Sequence, residues 1–103
     1  MARSSDQSLA DLANLCDLLG DPIRLRIVLL LAKGKSSVNG ICEEFKLSQP
    51  TVSHHLGLLR MNRLVVGNRK GKQIIYSLES HVKASAAKVK VSLPPFSVTL
   101  DGY

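Results

Sequence analysis

The most restrictive feature of this chain is a two-sided helical pattern over residues 48–60. Ser48 is a favourable N-cap, so a helix is predicted to begin directly after it. Val52, Leu56 and Leu59 recur at spacings of four and three, which places them on one face that is predicted to be buried. The opposite face carries short polar or cationic side chains and no acid: Gln49, Thr51, Ser53, His54 and Arg60. This composition differs from an ordinary glutamate-and-lysine solvent face and indicates a surface that reads another molecule.

A shorter helix is predicted immediately before this one. Ser37 can cap a helix that ends near Phe45. Four residues form its inward stripe: Val38, Ile41, Cys42 and Phe45. A connection of about three residues then leads into the second helix. Two helices joined in this way form a helix-turn-helix, whose second helix is shaped to enter the major groove of DNA.

Two further helices are predicted upstream. The first covers about residues 7–19, and its apolar face is made of Leu9, Leu12, Leu15, Cys16 and Leu19. The second begins with Asp21 as N-cap and Pro22 as the first helical residue, where the missing amide hydrogen would be unpaired anyway. This second helix ends near Gly34 and is predicted to be largely buried.

Two β-rich runs follow the helices and enclose a basic turn that contains glycine. Residues 64–66 and 73–78 are predicted to pair as a hairpin. The tip carries three cations: Arg69, Lys70 and Lys72. A hairpin in this position makes the motif a winged helix-turn-helix, with a basic wing over about residues 67–73.

A last helix and a tail are predicted at the C-terminal end. The helix is predicted over about residues 79–90. Its inward residues are apolar: Val82, Ala86 and Val89. Its outward residues are lysines near the C-terminal end: Lys83, Lys88 and Lys90. The predicted fold class is therefore α+β, mainly α with a small β-hairpin, in the order α-α-α-α-β-β-α. Residues 1–90 are predicted to form one winged helix-turn-helix domain. Residues 91–103 form an apolar tail that packs either on the domain or on a partner.

The distribution of charge indicates the class of partner. The net charge is +6, and residues 45–78 contain six basic residues and no acid. A local positive field of this kind attracts polyanions, which leaves nucleic acid or an anionic membrane surface as candidates, beside the alternative of a solvated face. Two Phe, two Tyr and no Trp provide few rings for the stacking on which single-strand binders depend. Duplex DNA is therefore the favoured partner.

Length and composition exclude several other classes. A chain of 103 residues has room for one domain. Its longest apolar stretch, residues 27–32, is far too short to span a membrane, and Asp6 and Asp11 lie where a signal peptide would be basic and apolar. No nucleophile-elbow, zinc-protease or paired-carboxylate motif is present. We expect a soluble cytoplasmic protein that is not an enzyme, has no cofactor and does not bind a membrane.

Three segments resemble the ArsR/SmtB family of bacterial winged-helix repressors: LLGDPIRLRI at residues 18–27, LSQPTVSHHL at residues 47–56 and RKGK at residues 69–72. The resemblance covers about residues 9–78. It implies a homodimer that is paired through its first and last helices, binds a roughly palindromic DNA operator and represses transcription.

The residue types predict how the work of binding DNA is divided. Two serines, Ser48 and Ser53, can donate to phosphates. Three other residues can reach base edges: Gln49, Thr51 and His54. Four cations are predicted to contact the phosphate backbone: Arg60, Arg69, Lys70 and Lys72. In a dimer, two half-sites about one helical turn apart are expected.

The cysteines and histidines depart from the metal-sensing pattern of the family. The positions of the family's thiolate run on the third helix are occupied here by Ser37, Val38, Asn39 and Gly40. One thiolate, Cys42, cannot build a soft-metal site, and His81 stands nearly alone at the last-helix position, so no metal site is predicted.

Other readings of the chain remain open at this point. Cys16 and Cys42 are either buried structural residues or a redox switch in a thiol-sensing repressor. Another alternative is a winged-helix protein-interaction module, in which the hairpin and tail contact a protein. The inducer, if one exists, is unknown.

Overall fold

The computed structural model describes residues 5–85 and 87–101. In these ranges the elements follow in the order α1 Ser5–Leu19, α2 Pro22–Lys33, β1 Ser36–Ser37, α3 Val38–Phe45, α4 Gln49–Met61, β2 Val65–Lys70, β3 Gln73–Leu78, β4 Val82–Ser85, β5 Lys88–Leu93 and β6 Phe96–Asp101. None of the helices in the described part is both long and apolar enough to cross a bilayer.

Local capping determines where three helices begin. The Asp21 carboxylate Oδ1 accepts hydrogen bonds from the backbone N–H groups of Ile23 at 2.8 Å and Arg24 at 3.1 Å at the start of α2. The Ser37 hydroxyl accepts from the Gly40 N–H at 3.0 Å at the start of α3. Ser48 caps α4 in the same way. Each cap satisfies an N–H group that the helix itself leaves unpaired, and the three predicted N-caps are confirmed.

The core lies between the helices and the inner faces of the sheets. On α4, Val52, Leu56 and Leu59 are fully buried, as predicted from their spacing. They belong to one apolar cluster with buried residues of α1, α2, α3 and the strands. Burying this side of α4 requires its opposite side to face outward, which is what positions the site described below.

The predicted hairpin is present, and we call β2, β3 and their connection the wing. Its strands pair antiparallel from Val65 opposite Leu78 to Lys70 opposite Gln73. Gly71 in the turn has φ of 64°, a left-handed conformation that glycine adopts without steric cost. The two-residue strand β1 pairs with β3 and completes a sheet in the order β1-β3-β2. The sequence did not predict β1, because two serines are too short to show a periodic pattern.

The inward face of α1 differs from the predicted one. Leu15 is buried as expected, but the other buried positions are Ser8 and Leu18. Leu9 is 53% exposed, and Cys16 is also exposed. Their placement on the buried side was therefore wrong. Both candidate faces have helical spacing, and the packing of α1 against α2 and β5 decides between them.

The predicted last helix over residues 79–90 is wrong. Those residues contribute to a second antiparallel sheet in the order β4-β5-β6. Apolar and polar residues alternate along β5 and β6, and this period of two buries one side of a strand. Val82 and Val89 also fit a helical spacing, which caused the error; Ala86 lies outside the described residues. The predicted order α-α-α-α-β-β-α is corrected accordingly.

The C-terminal tail is part of this second sheet. Residue 90, where the predicted domain was to end, lies inside β5, and Pro94 and Pro95 connect β5 to β6. Val98 and Leu100 of β6 pack against the core cluster. Tyr103, at the end of the predicted apolar tail, lies outside the described residues.

Candidate nucleic-acid interface

The outer face of α4 carries the polar residues that the sequence singled out. Of the six predicted positions, Thr51 is half-buried. The other five are exposed: Ser48, Gln49, Ser53, His54 and Arg60. His55, one position further along the helix, points the other way and is buried. We call this outer face, together with its N-cap, the α4 polar face.

The first turn of α4 is organised by a pair of hydroxyl groups. The Ser48 Oγ lies 2.9 Å from the Thr51 Oγ1, and the Thr51 N–H donates to Ser48 Oγ at 3.4 Å. One hydroxyl proton is used between the two oxygens, so the other proton of the pair can still be donated to an external acceptor. The pair therefore caps the helix and also leaves one hydroxyl donor at the N-terminal end of α4.

The wing lies beside the N-terminal end of the α4 polar face. A depression of about 210 Å³ is lined by Gln49 together with Lys72, Gln73 and Ile74 of the wing. At the wing tip, Arg69, Lys70 and Lys72 are exposed, and the Arg69 Nε donates to the Gly71 carbonyl at 3.3 Å. The N-terminal end of the α4 polar face and the wing thus line one depression.

The same depression is also lined by residues that were not predicted from the sequence to belong to the site. Ser37, Val38 and Asn39 at the start of α3 line its other wall. Asn39 is exposed and has an amide that can both donate and accept. The sequence gave no direct signal for this, because the approach of α3 to the wing depends on the pairing of β1 with β3.

Arg60 lies at the far end of the α4 polar face. It follows Gln49 by eleven positions, which corresponds to roughly 16 Å along a helix axis. In a helix whose N-terminal residues enter a groove, a cation at the opposite end lies close to the flanking backbone. Its position therefore suits a phosphate contact more than a base contact.

Two sets of polar contacts hold α4 against the rest of the domain. On its inner side, the Arg24 guanidinium donates from Nε to the Leu18 carbonyl at 2.7 Å and lies 3.4 Å, through Nη1, from the His55 Nδ1. At its C-terminal end, Asn62 accepts a hydrogen bond from Asn14 of α1 at 2.7 Å. The α4 polar face is thus presented by a helix that is held at its middle and at its C-terminal end.

Burial gives His55 an altered acid-base behaviour. Desolvation lowers the pKa of His55 below its usual value near 6.5, and this effect outweighs the attraction of the Asp21 carboxylate, whose Oδ1 lies 4.0 Å from Nδ1. Hydrogen bonds from the backbone, chiefly that of Arg24, lower the pKa of Asp21. The Nδ1 atom can accept from Arg24 only while it carries no proton, so a neutral imidazole fits this contact.

The lowered pKa of His55 predicts a pH-dependent stability. Between that lowered pKa and about 6.5 the unfolded chain binds more protons than the folded one, so stability that is present above about pH 6.5 is lost as the pH falls through this window. We expect the thermal midpoint to fall by a few degrees between about pH 7.5 and 5.5. His55→Gln should reduce this dependence of the thermal midpoint on pH, whereas His54→Gln at the exposed neighbour should preserve it. The same pH dependence of the thermal midpoint in the wild type and both variants would contradict its attribution to His55.

The two cysteines differ in their exposure to solvent. Cys16 is exposed on α1, and Cys42 is half-buried on α3. Within residues 5–85 and 87–101, no three or more His, Cys, Asp or Glu side chains are grouped so that they could hold a metal ion. A redox role of Cys16 and Cys42 stays a prediction.

Comparison with known proteins places this geometry in a family. The model of the bacterial regulatory proteins of the arsR family matches residues 21–66, which include α2, α3 and α4. Over 69 residues, the chain is 38% identical to the transcriptional repressor SdpR of Bacillus subtilis (strain 168), with 67% of this chain and 77% of that protein covered. The chain belongs to the ArsR family.

Two further relatives of this ArsR-family chain extend the comparison. It is 42% identical over 73 residues to the arsenical resistance operon repressor of Escherichia coli (strain K12), covering 70% of this chain but only 62% of that protein. It also matches the solution NMR structure of the homodimeric winged helix-turn-helix DNA-binding domain of a possible ArsR-family regulator from Mycobacterium bovis. That match has a TM-score of 0.65 and 31% identity, and it covers 76% of this chain and 75% of the other.

These findings bear on several predictions from the sequence. The resemblance to the ArsR family is confirmed, and so is the winged helix-turn-helix fold. The prediction that the chain is not an enzyme is confirmed by relatives that are transcriptional repressors. The individual DNA-binding residues are not tested by the comparisons and are taken up below.

Proposed function

We propose that this ArsR-family protein represses transcription by binding a specific duplex-DNA operator. The α4 helix lies in the major groove, and the wing contacts the adjacent backbone or minor groove. The observation that carries the proposal is the shared depression lined by Gln49, Lys72 and Gln73. It allows a base-reading side chain and a phosphate-neutralising one to touch the same double helix.

The proposed base contacts come from the N-terminal half of α4. Gln49 can donate and accept simultaneously, which suits the N6 and N7 atoms of adenine. His54, five positions further along, is exposed, whereas Thr51 is half-buried and its hydroxyl contacts that of Ser48. Gln49 and His54 are therefore the leading base-reading residues, and Thr51 contributes its exposed portion.

The proposed phosphate contacts surround these positions. Hydroxyl donors on α4 and four cations on α4 and the wing supply them: Ser48, Ser53, Arg60, Arg69, Lys70 and Lys72. Phosphate contacts fix the register of the protein but carry no sequence information, so their loss should affect all sequences alike. Asn39 joins the site as a further polar contact, because it lines the depression beside Gln49.

We infer that the protein acts as a homodimer on a roughly palindromic operator. The structural relative from Mycobacterium bovis is homodimeric, and a two-fold symmetric pair of α4 helices would read two half-sites about one helical turn apart. Operator DNA of a bacterium lies in the cytoplasm, where we place the protein. An inducer would act by changing the spacing of the two α4 helices.

Replacing Gln49 by alanine should reduce discrimination rather than affinity in general. We expect a loss of about 1 to 3 kcal/mol at one base position in each half-site, because a bidentate contact to a single base disappears. Binding to a duplex from the promoter upstream of its own gene, with each position varied in turn, measures this loss.

Arg60→Ala is the matched control on the same helix. It should weaken binding to every sequence by a similar factor, since a phosphate contact is lost. If both variants lose affinity uniformly, the division between base-reading and phosphate-holding residues is wrong. If the wild-type protein binds duplexes with neither sequence preference nor a steep dependence on salt, the interpretation as a protein-interaction module is favoured instead.

A further inference from the structure

A cavity of about 410 Å³ lies between α1, the C-terminal end of α4 and the sheet of β4, β5 and β6. In the described part of the chain, no residue of the α4 polar face or of the wing lines it. The apolar residues in its lining are mostly buried, among them Leu15, Leu18, Leu64 and Val91. A cavity of a few hundred Å³ with an apolar lining and a few polar groups is typical of sites for small organic molecules.

Met61, the last residue of α4, also lines this cavity and is 77% exposed. It is the most exposed of the large apolar side chains in the described ranges. A methionine side chain is flexible and adapts its shape to an apolar surface. Met61 can therefore close over an apolar molecule in the cavity, which would remove both from water.

Arg63 brings a cation to the cavity from a backbone conformation that is unusual for arginine. Its φ of 60° lies in the left-handed region, which favours glycine. The Arg63 N–H donates to the Arg60 carbonyl, and the Leu64 N–H donates to the Leu59 carbonyl, both at 3.0 Å. This pair of hydrogen bonds is the Schellman ending of a helix, in which glycine usually occupies the left-handed position. The fold alone thus favours glycine here, and a side chain that reaches the cavity is what arginine adds.

His81 provides a second donor to the same cavity. It is exposed and lies directly before β4. Within the ranges that the structure describes, neither the Arg63 nor the His81 side chain forms a hydrogen bond or an ion pair. A guanidinium and an imidazole N–H that face one volume form a suitable pair of donors for a carboxylate.

The other polar groups of the lining already have partners within the protein. The Asn14 Nδ2 donates to the Asn62 Oδ1 at 2.7 Å, and Asn62 itself donates to a carbonyl of α4 at 2.8 Å. The Asp11 Oδ1 accepts from the Gln7 Nε2 at 3.2 Å. Asp11 is the acidic residue among the described lining residues, so it favours a cation where the two donors favour an anion. The charge of the ligand therefore separates these two possibilities experimentally.

We propose that this cavity is a binding site for a small organic acid with an apolar body. Arg63 and His81 hold its carboxylate, and the apolar body lies against the buried side chains of α1 and β5 beneath Met61. The site uses none of the residues assigned to DNA contacts. It therefore goes beyond the proposed function and does not depend on it.

Octanoate, titrated calorimetrically into the full chain without DNA, tests this ligand class. We expect saturable binding, because octanoate has both the charge and the apolar chain. Acetate lacks the chain and octanol lacks the charge, so each should bind at least about tenfold more weakly. Absence of saturable octanoate binding would overturn the proposal. Octylammonium that binds as tightly as octanoate would also overturn it, because Asp11 would then determine the charge of the ligand.

Arg63→Gly separates a ligand contact from a structural role. Octanoate affinity should fall by about tenfold or more, because a charged hydrogen bond is lost. The thermal midpoint should stay close to that of the wild type or rise, since glycine adopts a positive φ without steric cost. Octanoate affinity that is unchanged in this variant would overturn the proposal.

Lys46→Gly is the matched control for Arg63→Gly. Lys46 is exposed and ends α3 in the same left-handed conformation, with φ of 54°, but it does not line the cavity. This substitution removes the same charge and the same kind of backbone strain, so octanoate affinity should remain that of the wild type. Equal losses in the two glycine variants would show that net charge, and not the cavity, holds octanoate.

Backbone amide chemical shifts locate the bound octanoate without any substitution. The largest changes should fall at residues 61–64, 81 and 91, and they should saturate with the calorimetric affinity. Changes confined to other surfaces would overturn the proposal. Shifts at these residues that respond to dilution of the protein but not to octanoate would also overturn it, since a second copy of the chain would then cover the cavity.

Discussion

Replacing Arg69, Lys70 and Lys72 together by alanine will reduce affinity for operator DNA on the order of 10⁴-fold at about 0.15 M salt. Each phosphate contact contributes roughly fivefold under these conditions through counterion release, and a dimer carries the three wing cations twice. The slope of log affinity against log salt should become shallower by roughly five. Fluorescence anisotropy over a series of salt concentrations measures both quantities.

The C-terminal sheet supplies a matched control for this triple variant. Lys83, Lys88 and Lys90 are exposed and lie on β4 and β5, outside the wing. Their replacement by alanine changes the net charge by the same amount. Affinity should then fall far less and the salt slope should remain close to that of the wild type. Equal losses in the two triple variants would mean that overall charge, and not the wing, drives binding.

Leu56→Ala will destabilise the fold by about 2 to 5 kcal/mol, because it removes a fully buried side chain and leaves a cavity. In a domain of this size the thermal midpoint should fall by about 10 °C or more. Leu56 lies on the inner side of the same helix whose outer side carries the proposed base contacts. Calorimetry or circular dichroism measures the change.

Leu9→Ala is the corresponding control on α1. It removes the same atoms from a side chain that is 53% exposed, so the expected change in unfolding free energy is within about 0.5 kcal/mol. Similar losses in both variants would show that α4 is not anchored as described.

The parts of the structure that were predictable from sequence are those with local causes. Asp21, Ser37 and Ser48 fix helix starts through hydrogen bonds to residues two or three positions away. The buried side of α4 follows from the spacing of its apolar residues alone. Because the polar side must then face outward, most of the candidate site could be placed without knowledge of the tertiary structure.

The remaining features depend on contacts between distant segments. Val82 and Val89 also fit a helical spacing, and the pairing of β5 with both β4 and β6 decides for the sheet. The exposed side of α1 is chosen by its packing against α2 and β5. Asn39 enters the site only because β1 brings α3 to the wing. Apart from the alternation of apolar and polar residues within β5 and β6, these choices have no signal within a single helical turn or strand.

A titration of the isotope-labelled protein with a duplex from its own promoter, followed by backbone amide chemical shifts, tests the central proposal most directly. The structure predicts that the largest shift changes fall in two segments, residues 48–60 and residues 67–73, and that they saturate together as one binding event. Shift changes confined to other surfaces, or to only one of these two segments, would contradict a single duplex held between α4 and the wing.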